Sequence, residues 1–85
     1  MNPRVKDVTA HADFSLTLVF ANGEVRRFDM RPYLSYPVYA PLAAPGLFLL
    51  ARVDHGTVAW PQDIDFAPDT LYLDSRSLGE SQTVG

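Results

Sequence analysis

Residues 14–30 constrain the fold of this sequence more than any other stretch. Residues 14–20 alternate large apolar side chains with smaller or polar ones, which is the two-residue period of a half-buried strand. Asn22 and Gly23 then interrupt the pattern, and a second run of similar character occupies residues 24–30. An Asn-Gly pair between two such runs predicts a β-hairpin.

The length of the turn decides which side chains share a face of this hairpin. A two-residue turn would place Leu16 opposite the charged Asp29. A three-residue loop over residues 21–23 instead pairs Leu16 with Phe28, and Asp29 then points outward. Because a slip of one residue turns every side chain to the other face, the apolar pattern favours the three-residue loop. Such a loop needs Gly23 in the left-handed conformation, where it forms a bulge.

The flanking segments add strands and short helical turns. Residues 4–10 predict a strand that pairs antiparallel with the hairpin, with a bulge or an edge position where the alternation slips. Three prolines and a glycine over residues 35–46 leave room only for short helical turns. A second hairpin follows, with an even-length loop centred on His55 and Gly56. Pro68 suits the first turn of a last short helix.

The sequence therefore predicts an α+β fold, made of an antiparallel meander plus a second hairpin, about five strands in all, with two or three short helical turns on one side. Residues 1–74 are expected to form the single α+β domain. Residues 75–85 are polar and unpatterned, and we expect them to form a flexible C-terminal tail.

Composition limits the class of protein. Eighty-five residues make one domain, and the absence of cysteine rules out a disulfide framework and thiolate metal sites. No apolar run approaches the ~18 residues of a membrane-spanning helix, and residues 1–7 lack the apolar stretch of a signal peptide. We therefore expect a cytoplasmic protein without a membrane partner. The net charge is −3, and residues 53–85 hold six acidic side chains against one arginine, so the C-terminal third is acidic.

Asp63, Asp65, Asp69 and Asp74 form the only carboxylate cluster in the sequence. An EF-hand loop that began at Asp63 would need glycine at its sixth position and glutamate at its twelfth, and Pro68 and Asp74 stand there instead. Helix capping and exposure to solvent explain carboxylates in such a loop. A small-ligand or metal site built from Asp63, Asp65 and Asp69 is the alternative.

Trp60 and three arginines are the other candidates for binding. A buried Trp60 would anchor the core, whereas an exposed one would be a hot spot for a protein partner. Arg26, Arg27 and Arg31 form the only local basic cluster, and acidic neighbours dilute it. A nucleic-acid site usually shows a concentrated basic surface, so we do not expect nucleic acid to be a partner. No catalytic motif, phosphate loop or set of metal ligands is recognisable, and we expect no enzymatic activity and no cofactor.

Three stretches of the sequence resemble one bacterial family. They are residues 25–29, residues 42–48 and, most specifically, residues 56–72, which contain a stretch similar to the family pattern W-P-x-G-x-D-x-x-P-D-x-L-Y. Over residues 4–74 the chain resembles domain of unknown function family 2442. Asp63 stands where the family pattern has glycine.

The resemblance implies a small α+β domain without an established activity. Some family members carry a helix-turn-helix domain after it, and others are encoded beside another small protein in an arrangement similar to a toxin–antitoxin pair. We therefore expect a non-enzymatic protein-interaction or regulatory accessory module of a bacterial operon pair, antitoxin-like in role. Its candidate partner-binding residues are Trp60, Asp63, Asp65, Asp69 and Tyr72. An unpaired edge strand would also allow a homodimer.

Overall fold

The computed structural model describes residues 2–78, which form seven strands, two short α-helices and two 3₁₀ turns. The strands are β1 (Val5–Ala10), β2 (Ser15–Phe20), β3 (Val25–Asp29), β4 (Arg52–Asp54), β5 (Thr57–Trp60), β6 (Ile64–Asp65) and β7 (Arg76–Ser77). The helices are α1 (Pro45–Phe48) and α2 (Pro68–Leu73), and the 3₁₀ turns cover Arg31–Tyr33 and Ala40–Ala43. The strands form two antiparallel sheets, β1-β2-β3-β7 and β4-β5-β6, so the predicted α+β class is confirmed.

The central hairpin has the predicted register. Leu16 lies opposite Phe28, and both side chains are fully buried. The backbone N–H of Phe20 donates to the carbonyl of Glu24 at 2.9 Å, which closes a three-residue loop. Gly23 has a φ of 91°, the left-handed region that glycine adopts without steric cost. The length of the loop and the conformation of its glycine are therefore both confirmed.

Strand β1 completes the meander and joins the two sheets. Its register with β2 shifts between Val5 and Asp7, which is the irregularity that the broken alternation predicted. The backbone N–H of Val5 donates to the carbonyl of Gly56 at 2.9 Å. This hydrogen bond ties the start of β1 to the turn of the second hairpin, so the two sheets form one domain.

The second hairpin has a two-residue turn. Val53 lies opposite Val58, which keeps the apolar parity that favoured an even-length loop. His55 and Gly56 have φ angles of 51° and 79°, and positive φ at both central residues is typical of a type I′ turn. Strand β5 ends directly before Pro61, which has no N–H to donate to a further rung of the sheet.

The core is one cluster of buried side chains. It lies between the inner face of the first sheet and the second sheet, the connecting turns and α2. Strands β2 and β3 contribute the fully buried Leu16, Leu18, Phe20 and Phe28. These side chains pack in one cluster with buried residues of the connecting turns, the second sheet and α2, namely Leu42, Phe48, Val58, Trp60, Ile64, Phe66 and Leu71. Thr17 and Val19 alternate with the core residues and are half-buried, and Arg27 is exposed. The first sheet therefore has one buried face and one open face.

Two strands of two residues each, β6 and β7, were not predicted. The expected tail began at Ser75, but Ser75 is buried and β7 pairs with β3, so the domain continues through β7. Two residues are too few to display a strand period, so the local sequence does not reveal β7. The guanidinium of Arg26 fixes this segment by donating to the hydroxyl and the carbonyl of Ser75. Residues 79–85, the rest of the expected tail, lie outside the described residues.

The turn between β5 and β6 explains why the family pattern has glycine there. Gln62 and Asp63 have φ angles of 73° and 59°, a region that glycine adopts freely and side chains disfavour. We expect Asp63→Gly to raise the free energy of unfolding by about 0.5 kcal/mol and the Tm by about 2–4 °C in thermal unfolding. Asp65→Gly, within β6, is the matched control and should lower both. Equal destabilisation by the two changes would contradict this explanation of the turn.

Candidate functional site

The open face of the first sheet carries a row of side chains that crosses all four strands. Thr9 lies opposite Thr17, Thr17 lies opposite Arg27, and Arg27 lies opposite Arg76. Residues that are directly opposite on antiparallel strands project from the same side of the sheet. We call these four residues the cross-strand row. The row brings Arg76, from the end of the described chain, beside Arg27 of the central hairpin.

A shallow cleft of about 310 Å³ lies at the β7 end of the cross-strand row. It is lined by Asp13, Ser15, Arg27, Asp29, Arg31, Asp74 and Arg76, and we call it the arginine cleft. Three arginines and three aspartates therefore meet in one small space. Their pairing decides which of these charges are available to a ligand.

Asp13 fixes the start of β2 and holds Arg27. One carboxylate oxygen accepts hydrogen bonds from the backbone N–H of Ser15 at 3.0 Å and from its hydroxyl at 2.6 Å. The other oxygen accepts from the Arg27 guanidinium at 2.7 Å. The hydrogen bonds from Ser15, followed by the attraction of Arg27, lower the pKa of Asp13 below its usual value. Phe14, between the two polar residues, has a φ of 65°, which bulky side chains rarely adopt.

Asp29 and Arg31 form the second ion pair of the cleft. One oxygen of Asp29 accepts from the backbone N–H and from Nε of Arg31, both at 3.0 Å, and the other accepts from Nη2 at 2.9 Å. Such a two-pronged contact fixes the plane of the guanidinium as well as its position. The hydrogen bonds between the two side chains lower the pKa of Asp29 and raise that of Arg31.

Arg76 differs from the other two arginines of the cleft. Within residues 2–78 its exposed side chain makes no hydrogen bond or ion pair. Its nearest acidic neighbour along the chain, Asp74, accepts a hydrogen bond from the hydroxyl of Tyr33 at 2.6 Å, which raises the pKa of Tyr33 to about 12. Arg76 also lies directly opposite the like charge of Arg27. Like charges at opposite positions of a sheet destabilise it.

Arg26 lies on the other side of the sheet from Arg27 and has a structural role. It donates to the hydroxyl of Ser75 at 2.7 Å, to the carbonyl of Ser75 at 2.8 Å and to Glu24 at 2.9 Å. Its guanidinium also lies 4.6 Å from the centre of the Tyr72 ring. The Tyr72 hydroxyl donates to Glu24, which lowers the pKa of Glu24 and raises that of Tyr72. The sheet thus separates Arg26 from the arginine cleft, so the predicted cluster of three arginines is split between two faces.

Trp60, the first of the predicted partner-binding residues, is a core residue. Its side chain is 1% exposed, and its indole N–H donates to the carbonyl of Phe48 at 2.9 Å. The rings of Trp60 and Phe48 also stack with their centres 6.1 Å apart. The core interpretation of this tryptophan is therefore the correct one, and its ring is not available as an exposed anchor for a partner.

The other predicted site residues lie in three separate places. Asp63 and Asp65 line a second cleft of about 190 Å³, together with Arg52. Asp69 instead accepts a hydrogen bond from the side chain of Asn2 at 3.2 Å. Tyr72 belongs to the Glu24–Arg26 network. In the described part of the chain no group of three or more His, Cys, Asp or Glu side chains is arranged to hold a metal ion.

Sequence reasoning missed most of the arginine cleft. The parity of the hairpin turned Arg27 and Asp29 outward, and this was the available signal for the open face. Asp74 was grouped with the carboxylates of residues 63–69, and no local pattern placed Asp13, Asp74 or Arg76 in this cleft, because they reach it from the first turn and from the segment after α2.

Comparison with known proteins places the chain in a family. Residues 5–77 match the family described as "Protein of unknown function (DUF2442)". The chain belongs to this family. No curated protein matches it. Among solved structures, this member of the family is similar to a crystal structure of a "Putative DNA Binding Protein" from Nitrosomonas europaea, with a TM-score of 0.75 and 26% sequence identity.

That structural relative is longer than this chain. The match covers 99% of this chain and 56% of the chain from Nitrosomonas europaea, so the family domain described above corresponds to about half of that protein. Within residues 2–78, no helix is both long and apolar enough to cross a membrane.

The prediction that nucleic acid is not a partner of this chain is wrong. The similar structure from Nitrosomonas europaea is described as a "Putative DNA Binding Protein", which conflicts with it. The physical reason is that the fold brings together basic residues that are far apart in the sequence. Along the sequence, acidic neighbours dilute Arg27 and Arg31, whereas in the fold Arg76 joins them across the β3–β7 pair.

Proposed function

We propose that the chain is a non-enzymatic protein-interaction domain that serves as the regulatory accessory module of a bacterial operon pair and works in the cytoplasm beside a DNA-binding function. The observation that carries the proposal is the open face of the first sheet. Thr9, Arg27 and Arg76 are exposed on it, while the other face of β2 and β3 carries the buried core residues Leu16, Leu18, Phe20 and Phe28. A half-open antiparallel sheet with both polar and apolar side chains on its outer face is a surface that a partner can cover.

The apolar part of this face lies beside the cross-strand row. Val19 lies opposite Val25, and both side chains are half-buried rather than fully exposed. A surface on which apolar side chains lie beside polar and charged ones has the composition of a transient protein interface. The open face therefore suits a protein partner better than the second cleft does, because that cleft is small and is lined by the charged Asp63 and Asp65.

Three carboxylates around the sheet have structural roles. Asp13, Glu24 and Asp29 all have lowered pKa values, because each carboxylate accepts hydrogen bonds from neighbouring side chains. A general acid at neutral pH needs a carboxyl group with a raised pKa. Each of these carboxylates instead holds a turn, a tyrosine or an arginine in place.

The link with DNA comes from the relative. The protein from Nitrosomonas europaea is described as a "Putative DNA Binding Protein" and extends beyond the region that this chain matches. The arrangement resembles a regulatory protein in which one domain contacts DNA and another receives the partner or signal. In this proposal the chain is the domain that receives the partner or signal.

Recovery of a partner from the bacterial host tests this function. We expect affinity purification of the tagged chain to recover one protein in stoichiometric amount. Hydrogen exchange of the purified complex should then show protection of the backbone N–H groups of residues 15–20 and 25–29, and little change in residues 57–60. Recovery of no stoichiometric protein, or protection confined to residues 57–60, would contradict the proposal.

A further inference from the structure

We propose that the arginine cleft is a binding site for a phosphate group, carried either by a free phosphomonoester or by the backbone of a nucleic acid. Arg27, Arg31 and Arg76 are the residues that would hold it. The inference goes beyond the proposed function, because the site would exist whether or not the open face also receives a protein partner.

Backbone pairing fixes the positions of two of the three arginines on the sheet. The register of β3 and β7 places Arg27 and Arg76 directly opposite each other on the open face. Opposite residues of antiparallel strands have Cβ atoms about 4.5–5.5 Å apart. The two side chains therefore start from neighbouring positions on one face, and an anion between their like charges would attract both. Backbone pairing thus fixes where Arg27 and Arg76 enter the cleft.

The three guanidinium groups keep N–H donors that no residue of the described chain uses. A guanidinium has five N–H donors. Arg27 uses Nη2 for Asp13, and Arg31 uses Nε and Nη2 for Asp29. The remaining nitrogens of both, and all of those of Arg76, make no hydrogen bond within residues 2–78. The two aspartates therefore orient the guanidinium groups and leave donors free for a ligand.

A phosphate matches these donors better than a carboxylate does. Its oxygens accept several hydrogen bonds at once, and Arg matches phosphate geometry by forked pairs of N–H donors. A carboxylate offers only two oxygens, which two guanidinium groups would satisfy. Three arginines converge here, while the hydroxyl of Tyr33 already donates to Asp74, the third carboxylate of the cleft. A volume of about 310 Å³ is large enough for a phosphate and part of the group that carries it.

The effect of inorganic phosphate on thermal unfolding tests the site. In wild-type protein, sodium phosphate should raise the Tm relative to sodium chloride at equal ionic strength, because a ligand that binds only the folded state stabilises it. Arg76→Ala should weaken phosphate binding by about 10- to 100-fold, as measured by titration calorimetry, since it removes charge-assisted hydrogen bonds. Arg52→Ala is the matched control. It removes an exposed arginine from the second sheet and should leave phosphate affinity unchanged.

Two further measurements distinguish the sources of the phosphate. Fluorescence anisotropy with a DNA duplex, repeated at increasing salt, should give Arg76-dependent binding if the backbone is the source. Titration with a phosphomonoester should give Arg76-dependent binding if a free ligand is the source. Either result supports the phosphate site. Absence of binding to phosphate, phosphomonoester and DNA, or equal binding by wild-type protein and Arg76→Ala, would overturn it.

Discussion

Replacing Trp60 with alanine is expected to lower the free energy of unfolding by about 3–5 kcal/mol, which is the usual cost of removing a large aromatic side chain from a core. Three losses add up at this position. The indole is 1% exposed, so its removal leaves a cavity among the surrounding residues. Its stacking with Phe48 disappears, and the carbonyl of Phe48 loses the hydrogen bond that it accepts at 2.9 Å.

Such a loss approaches the whole stability of a domain of this size, since stabilities are about 0.05–0.15 kcal/mol per residue. We therefore expect Trp60→Ala to be largely unfolded near room temperature by far-ultraviolet circular dichroism. Leu50→Ala is the control, because Leu50 is 56% exposed and should change stability by less than about 0.5 kcal/mol. A loss below about 1 kcal/mol for Trp60→Ala would mean that the tryptophan does not anchor the core.

Replacing Arg26 with methionine is expected to lower the free energy of unfolding by about 2–3 kcal/mol. Methionine keeps much of the aliphatic stem but removes the guanidinium that donates to Ser75 and Glu24 and lies over the ring of Tyr72. The Arg26 side chain is 16% exposed, so these hydrogen bonds are shielded from water and leave unsatisfied groups behind when they are lost.

Arg27→Met is the matched control for this change. It makes the same substitution at the next residue, on the opposite face, where the ion pair with Asp13 is 45% and 58% exposed. Exposed ion pairs contribute about 0–1 kcal/mol, so the control should cost far less in urea unfolding. Arg26→Met should also speed hydrogen exchange at the N–H of Leu78, which donates to the carbonyl of Val25 at 2.7 Å. Equal losses for the two variants would show that Arg26 does not fasten β7.

The central hairpin was predictable because its signals are local and mutually consistent. The alternation over residues 14–20 gives the buried face, and the parity of Phe28 selects the length of the loop. The requirement for positive φ then falls on Gly23. The second hairpin follows the same logic, since the pairing of Val53 with Val58 requires an even number of residues between them.

The site was less predictable because it is assembled by long-range pairing. Arg76 reaches Arg27 only through a strand of two residues, and that strand is held by a hydrogen bond from Arg26 to Ser75. Neither the two-residue strand nor this hydrogen bond leaves a periodic pattern in the sequence. Trp60 is easy to single out in the sequence, but its role is ambiguous there. A tryptophan fits both a core anchor and an interface hot spot. Only the fold, which places its indole N–H on the carbonyl of Phe48, decides between them.

Reversal of one charge on each sheet tests most directly whether the open face of the first sheet receives the partner. Arg27→Glu places a carboxylate at the centre of the cross-strand row, and Arg52→Glu makes the same change beside the second cleft. Both residues are exposed, so both variants should fold, as circular dichroism can verify. In quantitative affinity purification we predict that Arg27→Glu recovers at least about tenfold less partner than wild type, while Arg52→Glu recovers it normally. Normal recovery by Arg27→Glu, or a selective loss with Arg52→Glu, would contradict the assignment of the open face.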